Sequence, residues 1–240
     1  MRRRVVGVSA VEEALVQDES IACVLAREEE RTIEAAVLIE SLRGRGVPVF
    51  LESSREMRRL TTGDSTAEVV AVLGTPPAED LAGLMASPGV AVILVGVRYP
   101  GNVGFILRAA EVAGAAGVVV CNDWPVEGRQ WREARRASIR ADRFFPVLEA
   151  EAGSAVASAR QAGRRVVGIE TNGEEMPWAI DFHAPLALVL GGESDGIPEP
   201  LLESVDALVR IPTFGVIPSY NVQAATSILL GECLRQLTSD

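Results

Sequence analysis

The sequence predicts an α/β protein whose larger, C-terminal part is built on a parallel sheet. In this part, short runs rich in Val, Ile and Leu alternate with stretches of helical periodicity. The runs are almost continuously apolar, which is typical of parallel strands covered by helices on both faces. The predicted strands are residues 90–97, 118–121, 165–169 and 186–190, and residues 221–237 predict an amphipathic helix.

The first 74 residues predict a separate, small α/β unit. Its expected elements are helices at 11–16 and 32–42 and strands at 21–26, 47–51 and 68–73. In the second helix, Ile33, Val37 and Leu42 are expected to form the apolar face, and Gly44 and Gly46 to end the helix.

Residues 75–89 are expected to link the two parts. A Pro-Pro pair opens this segment, a Pro-Gly pair closes it, and a short helix is predicted between them. We therefore expect two domains, at 1–74 and 90–240, joined by a linker at 75–89.

Composition excludes several classes of protein. The chain has 240 residues and a net charge of −10, and all 23 of its basic residues are arginines. An acidic chain does not coat nucleic acid through bulk charge, although a local arginine cluster can still bind it. Three widely spaced cysteines and the single His183 argue against a disulfide framework or a metal site. Without an apolar run long enough for a membrane span, we expect a cytoplasmic protein that binds neither membrane nor metal.

The first candidate segment for chemistry follows the strand at 90–97. Pro100 and Gly101 turn the chain, and Asn102 is expected to cap the next helix. Gly104 allows close approach by a ligand or another backbone, and Arg108 lies within two turns of the helix start. By local pattern alone, this segment is a capped helix with one exposed arginine.

The second candidate segment follows the strand at 186–190. Gly191 and Gly192 leave main-chain groups open to a ligand, and Glu193 places a carboxylate in the same turn. Gly196 and Pro198 then lead into a short helix. The plainer interpretation is a tight βα turn with a solvated Glu193.

The third candidate segment precedes the last helix. Ile211 and Pro212 are expected to end a strand, and either Ser219 or Asn221 to cap the helix. The apolar loop between them is suited to the adenine and ribose of a cofactor. Each of these three segments follows a predicted strand, where open α/β sheets bind ligands.

A fourth segment, residues 128–147, concentrates positive charge. It holds six arginines against two acidic residues, with Trp131 and Phe144 expected to be available for stacking on bases. A solvated helix face is the alternative. The candidate RNA-binding residues are Arg129, Arg132, Arg135, Arg136 and Arg140.

Together, the first three segments resemble the signature motifs of the TrmH-type branch of the SPOUT RNA methyltransferases. The matching residues are, in order, Asn102, Gly104 and Arg108; Gly191, Gly192, Glu193 and Gly196; and Ile211, Pro212, Ser219, Tyr220, Asn221 and Val222. Gly7 and the following VEEAL resemble the start of the ribosomal-protein-like RNA-binding domain that precedes the catalytic domain in ribosomal-RNA members. The resemblance thus implies an RNA substrate-binding domain at 1–74 and a SPOUT methyltransferase domain at 90–240.

The resemblance implies methyl transfer from S-adenosylmethionine to a ribose 2′-hydroxyl of structured RNA, by a homodimer with a deep trefoil knot. It implies cofactor contacts at Gly191, Gly192, Ile211, Tyr220 and Asn221. It assigns the catalytic role to Arg108, with Asn102, Glu193, Ser219 and Asn221 around the transfer centre. Because arginine holds its proton tightly, we expect Arg108 first to bind phosphate and the developing alkoxide, and only second to accept a proton.

Three positions depart from the family pattern: Phe105, Tyr220 and Gln223. The N-terminal resemblance favours ribosomal RNA as the substrate, with transfer RNA second. Two other functions remain open from the sequence. One is an RNA-binding protein without catalytic activity, and the other is an enzyme acting on a small nucleotide, with Phe105 narrowing the RNA entrance.

Overall fold

A computed structural model describes residues 3–61, 63–64, 66–125 and 128–239. The chain divides into two units, Met1–Pro77 and Ala78–Asp240. The division falls inside the expected linker, and residues 78–89 belong to the second unit. Helix 81–86 within that stretch buries Leu84 and Met85 in the core of the second unit.

In the part of the first unit that the structure describes, a four-stranded sheet packs with three helices. Its sheet order is β1-β4-β2-β3, in which β2 and β3 are parallel and the other pairs antiparallel. The strands are β1 (Arg3–Val6), β2 (Ile21–Arg27), β3 (Val49–Glu52) and β4 (Val69–Leu73). The helices are α1 (Val8–Val16), α2 (Ile33–Gly44) and α3 (Ser54–Leu60).

The prediction for the apolar face of α2 is confirmed for Leu42 and wrong for Ile33 and Val37. Ile33 and Val37 are 80% and 64% exposed, and the helix buries Ala35, Leu38, Ile39 and Leu42. Those four positions follow the i, i+3, i+4, i+7 spacing of one helical face, whereas Ile33 and Val37 lie on another. The sequence also did not predict β1 or α3, because β1 has only two apolar residues and α3 buries only Met57.

The second unit is a parallel sheet, as predicted. In the described part of this unit, six strands pair in the order β10-β8-β9-β5-β6-β7, and every pairing is parallel. The strands are β5 (Ala91–Val95), β6 (Gly117–Cys121), β7 (Val147–Glu149), β8 (Arg165–Ile169), β9 (Leu186–Gly191) and β10 (Ala207–Val209). The helices are α4 (Leu81–Ala86), α5 (Pro100–Val112), α6 (Arg129–Ala137), α7 (Ala152–Gln161), α8 (Glu199–Leu202) and α9 (Val222–Leu237).

The two edge strands of this sheet are short. The sequence did not predict β7, and it predicted only the end of a strand near β10. β7 and β10 have three residues each and are largely half-buried, so they lack the long apolar run of a central strand. β10 ends at Val209, so the expectation that Ile211 and Pro212 end a strand is wrong by two residues. The central strands β5 and β9 are almost fully buried, and their neighbour β8 completes the carboxyl edge that carries the site.

Arg164 connects the amino-terminal edge of the sheet to the segment after α4. Its side chain is buried and donates hydrogen bonds to four main-chain carbonyls, those of Met85, Ser87, Gly89 and Leu186. Burial lowers the pKa of the Arg164 guanidinium. Four carbonyl acceptors compensate part of this desolvation, so Arg164 is a structural residue.

Candidate active site

A cavity of about 310 Å³ opens at the carboxyl ends of β8 and β9. This is the edge at which open parallel sheets bind ligands. The lining comes from three chain segments: the end of β8, the turn after β9, and the loop before α9. It includes Gly191, Gly192, Glu193, Ile211, Ser219 and Tyr220 from the predicted site, together with Ile169, Glu170, Thr171, Leu190, Ser194, Gly196, Pro218, Val222 and Ala225.

The paired glycines make the turn after β9 possible. A Cβ atom on Gly191 would lie 2.0 Å from the carbonyl carbon of Gly196, and one on Gly192 would lie 2.4 Å from the Gly96 carbonyl oxygen. The Gly196 amide donates back to the Gly192 carbonyl at 3.1 Å. The glycines therefore allow backbone to pack on backbone, and the turn they form lines the cavity.

Asn102 is a buried side chain of the site and not a helix cap, so the capping prediction is wrong. Helix α5 begins at Pro100 with Tyr99 as its N-cap, because proline already has a helical φ and lacks the amide hydrogen that a cap would satisfy. The Asn102 amide nitrogen donates to Glu193 Oε1, and Asn102 Oδ1 accepts from Asn221 Nδ2 at 3.3 Å. Three predicted site residues thus form one hydrogen-bonded chain.

Asn221 has two roles at the start of α9. Its Oδ1 accepts from the Gln223 amide at 2.9 Å, so Asn221, and not Ser219, is the N-cap. Its Nδ2 donates to Asn102. Ser219 and Tyr220 precede the cap, are exposed, and line the cavity.

Arg108 lies apart from this hydrogen-bonded chain. It is exposed on α5, as is Phe105 one turn earlier, whereas Asn102 faces inward. Among the described residues it has no hydrogen-bond or ion-pair partner. Within one chain, the structure therefore brings together Asn102, Glu193 and Asn221 but not Arg108.

Gly104 brings the arginine-rich helix against α5. A Cβ atom on Gly104 would lie 2.4 Å from the Ala134 carbonyl oxygen and 2.5 Å from Ala137 Cβ. The sequence predicted close approach to Gly104 by either a ligand or another backbone, and the structure shows the backbone of α6 there. The result is that α6 packs directly on the helix that carries Asn102 and Arg108.

The arginines of α6 and of the turn that follows it divide into exposed and half-buried sets. Arg129, Arg132 and Arg136 are exposed, whereas Arg135 and Arg140 are half-buried. The Arg135 guanidinium lies 5.7 Å from the Trp131 ring centroid, and its Nε is 3.4 Å from Asp142 Oδ2. Burial raises the pKa of Asp142 despite the neighbouring arginines, Arg143 foremost.

The expectation that Trp131 and Phe144 stack on bases is wrong. Trp131 is 3% exposed and meets Trp124 edge-on at 5.4 Å between centroids, and Phe144 is 9% exposed. Both rings pack inside the unit, Trp131 on the buried face of α6 and Phe144 in the segment after it. This surface therefore presents guanidinium groups rather than aromatic rings.

Sequence reasoning missed Glu170, a second carboxylate in the cavity. It follows β8 directly, and its Oε1 accepts from the Ile197 amide at 2.6 Å. The signal was present in the sequence, because a carboxylate immediately after a predicted strand falls on the ligand-binding edge of the sheet.

Two further features bear on the class of protein. No helix among the described residues is both long and apolar enough to cross a membrane. The same residues contain no group of three His, Cys, Asp or Glu side chains placed to hold a metal ion.

Fold and site together define an α/β enzyme with a ligand cavity at the carboxyl edge of a parallel sheet and a polar chain beside it. Residues 89–231 match the model of the SpoU rRNA Methylase family, and residues 4–78 match that of RNA 2′-O ribose methyltransferase substrate binding. The chain belongs to the SpoU rRNA methylase family. The resemblance to TrmH-type SPOUT enzymes is therefore confirmed.

Similar proteins match both units. The 23S rRNA (guanosine-2′-O-)-methyltransferase RlmB of Xylella fastidiosa (strain 9a5c) is 30% identical over 241 residues, which cover 98% of this chain and 96% of the relative. The AdoMet-bound rRNA methyltransferase from Sinorhizobium meliloti is 26% identical with a TM-score of 0.63, over 99% of this chain and 88% of the other. AviRb from Streptomyces viridochromogenes, a SpoU methyltransferase in complex with AdoMet, is 25% identical with a TM-score of 0.61, over 99% and 91%.

Proposed function

We propose that this protein transfers a methyl group from S-adenosylmethionine to the 2′-hydroxyl of a ribose in 23S ribosomal RNA. The observation that carries this proposal is the match of both units, over nearly the whole chain, to RlmB, whose name specifies a guanosine in 23S rRNA. Because this relative covers both units, ribosomal RNA is the first substrate to test and transfer RNA the second.

The cavity fits S-adenosylmethionine in size and chemistry. Its volume of about 310 Å³ suits a small cofactor, and Ile169, Leu190 and Val222 supply apolar contacts for an adenine ring. The close-packed glycine turn and the loop before α9 supply main-chain groups. The residues that would hold the cofactor are Gly191, Gly192, Ile211, Tyr220 and Asn221. When bound, the cofactor supplies an electrophilic methyl group on a sulfonium.

The chain Glu193–Asn102–Asn221 orients groups beside this cavity. Asn102 is held on both sides, since its amide nitrogen donates to Glu193 and its oxygen accepts from Asn221. A buried amide fixed in this way keeps its direction without reorganisation during the reaction. Its role is to position the target ribose, with Ser219 at the exposed mouth of the cavity.

Arg108 provides positive charge where the ribose hydroxyl loses its proton. Arginine remains protonated at neutral pH, so its first role is to bind phosphate and stabilise the developing alkoxide. Proton acceptance by Arg108 is the second role. Its position on the exposed face of α5 leaves it accessible to RNA.

The exposed arginines of α6 extend this positive surface. Arg129, Arg132 and Arg136 bind phosphates of structured RNA, and packing at Gly104 fixes their helix against α5. Arg135 and Arg140 complete the set, with Arg135 bracing the surface through Trp131 and Asp142.

The enzyme is a cytoplasmic homodimer with a knotted C-terminal third. Helices α5 and α9 pack together and each exposes apolar side chains, which are Phe105, Val112, Ile228 and Leu234. Covering this face with a second copy removes apolar surface from water and brings a second Arg108 to the site. The support for the knot is the resemblance to the TrmH-type SPOUT enzymes, together with the family match at 89–231.

The test is transfer of a labelled methyl group from S-adenosylmethionine to 23S rRNA and to transfer RNA. Arg108→Ala is expected to abolish transfer, and Arg160→Ala is its control, because Arg160 is half-exposed on α7 and pairs with Asp206. If only transfer RNA becomes labelled, the substrate is transfer RNA and not 23S rRNA. Cofactor binding without transfer to any RNA, free or in ribosomal particles, would favour the RNA-binding protein without catalytic activity.

A further inference from the structure

Two carboxylates line the cavity, one from the turn after β9 and one from the end of β8. Glu193 follows β9 and contacts Asn102 on α5, the helix that follows β5. Glu170 follows β8, which pairs with the other edge of β9. Because adjacent strands are about 4.8 Å apart, β8 and β5 bracket the site over roughly 10 Å. The two carboxylates therefore face different parts of a bound molecule.

Two hydrogen bonds to main-chain groups fix the position of Glu170. Its Oε1 accepts from the Ile197 amide at 2.6 Å, and its own amide donates to the Val209 carbonyl at 3.0 Å. Gly196, at φ +63°, allows this approach, since a Cβ atom there would lie 2.7 Å from Glu170 Oε1. An ionised carboxylate accepts about four hydrogen bonds, so the group has capacity beyond its bond to Ile197.

The position of Glu170 indicates which part of the cofactor it meets. The reacting sulfonium must lie at the β5 side, where Asn102, Glu193 and Asn221 gather. The adenosine moiety then extends toward the β8 side and Glu170. Its ribose presents two adjacent hydroxyl donors, and a carboxylate at the end of a parallel strand is a well-suited acceptor for them.

We propose that Glu170 accepts hydrogen bonds from the vicinal ribose hydroxyls of the bound cofactor and so selects for an intact adenosine ribose. This assignment rests on the proposed function, which supplies S-adenosylmethionine as the ligand. It identifies a specificity-determining residue in the cofactor cavity that lies outside the three signature motifs.

The experiment measures the affinity of each protein variant for each of several ligand analogues. Titration calorimetry measures binding of S-adenosylhomocysteine and of its 2′-deoxy and 3′-deoxy analogues to the wild type, Glu170→Ala and Glu170→Gln. The glutamine keeps an oxygen for the Ile197 amide and so controls for the fold of the turn. Glu174→Gln is the matched surface control, because Glu174 is exposed on the same connection.

We expect the wild type to lose about tenfold or more in affinity when one hydroxyl is removed, and Glu170→Ala to lose about tenfold to a hundredfold for the parent ligand. In Glu170→Ala, the parent and the deoxy analogues should then bind within about threefold of each other. Glu174→Gln should behave as the wild type. If Glu170 only supported the turn, the loss of a ribose hydroxyl would weaken binding equally in the wild type and in Glu170→Ala.

Other outcomes overturn the assignment. Equal losses for parent and deoxy ligands on Glu170→Ala would mean that Glu170 only holds Ile197. A Glu170→Ala penalty that disappears with 5′-methylthioadenosine, which keeps the diol and lacks the amino acid, would assign the carboxylate to the cofactor's ammonium group instead. Failure of the wild type to bind S-adenosylhomocysteine would overturn the proposed function and this assignment with it.

Discussion

Asn102 donates a hydrogen bond to Glu193 across 91 positions of sequence. The two residues come from the segments after β5 and β9, which are neighbours in the parallel sheet. Asn221 joins them from the start of α9. Strand order thus brings together polar residues from three distant segments at the one edge of the sheet that also holds the cavity.

Replacing Asn102 with alanine should remove activity while leaving the cavity in place. The change deprives Glu193 and Asn221 of a shared partner, and losing such a positioned polar group costs about 10²- to 10³-fold in rate. Single-turnover methyl transfer measures the loss, and S-adenosylhomocysteine titration should show affinity within about threefold of the wild type. Full activity of Asn102→Ala would contradict the proposed positioning role.

Gly191→Ala should destabilise the protein and weaken cofactor binding. The new Cβ atom would lie 2.0 Å from Gly196, so the turn must move, at a cost of roughly 1–3 kcal/mol. The control is Gly231→Ala, because a Cβ atom there meets nothing within 4 Å and alanine favours the helical conformation of α9. Thermal unfolding of both variants measures the contrast, and equal melting temperatures would show that the turn tolerates a side chain.

Arg164→Met should be strongly destabilising without a specific effect on the site. The methionine leaves the four carbonyls of Met85, Ser87, Gly89 and Leu186 without their shared donor. Hydrogen bonds to a charged group contribute about 1.5–3 kcal/mol each, although not additively, so we expect a loss of about 3–5 kcal/mol. Urea unfolding measures it, with Arg160→Met as the exposed control. A loss below about 1 kcal/mol would mean that water replaces the guanidinium.

Acid should weaken the end of α9 through Glu232. Hydrogen bonds from Arg235 and Gln236 lower the pKa of Glu232 to about 2, below its ordinary value of 4.5. The folded state therefore binds this proton less tightly than the unfolded state. Its stabilising contribution is fully present above about pH 5 and is lost as the pH falls from 4.5 toward 2. The melting temperature of the wild type relative to Glu232→Gln should follow this course, and a difference independent of pH would refute the coupling.

The buried central strands could be predicted from the sequence more accurately than the edge strands or the faces of the helices. Buried strands such as β5 and β9 are apolar throughout, so their pattern alone identifies them. The short edge strand β10 has no such pattern, and the buried face of α2 was misjudged because Ile33 and Val37 are apolar yet exposed. The residues with regular helical spacing, Ala35, Leu38, Ile39 and Leu42, are the ones that α2 buries.

The site residues were recognisable as a set, whereas their contacts were not. Asn102 has the pattern of a helix cap, and only the strand order shows that Glu193 is its partner. Trp131 in an arginine-rich helix has the pattern of a stacking platform, yet it packs inside. Glu170 was overlooked because a single carboxylate after a strand matches no motif.

The exposed arginines of α6 should determine how RNA binding depends on salt. Each arginine that neutralises a phosphate adds roughly 0.7–0.9 to the slope of log affinity against log salt. Replacing Arg129, Arg132 and Arg136 by alanine should therefore lower that slope by about 2 and raise the KM for RNA, with S-adenosylhomocysteine affinity unchanged. Filter binding to a 23S rRNA fragment measures the slope. The salt concentration is varied over roughly 50–300 mM, where the release of counterions dominates the change in affinity.

The matched control for this variant replaces three exposed arginines of the second unit that lie outside α6, Arg160, Arg210 and Arg235. If α6 provides the phosphate contacts beside the cavity, its triple variant loses methyl transfer at low RNA concentration and recovers it at saturation. The control variant removes the same number of charges and should keep both the salt slope and the methyl transfer at low RNA concentration. An unchanged slope for the α6 variant would mean that its arginines form a solvated helix face, which was the alternative that the sequence left open.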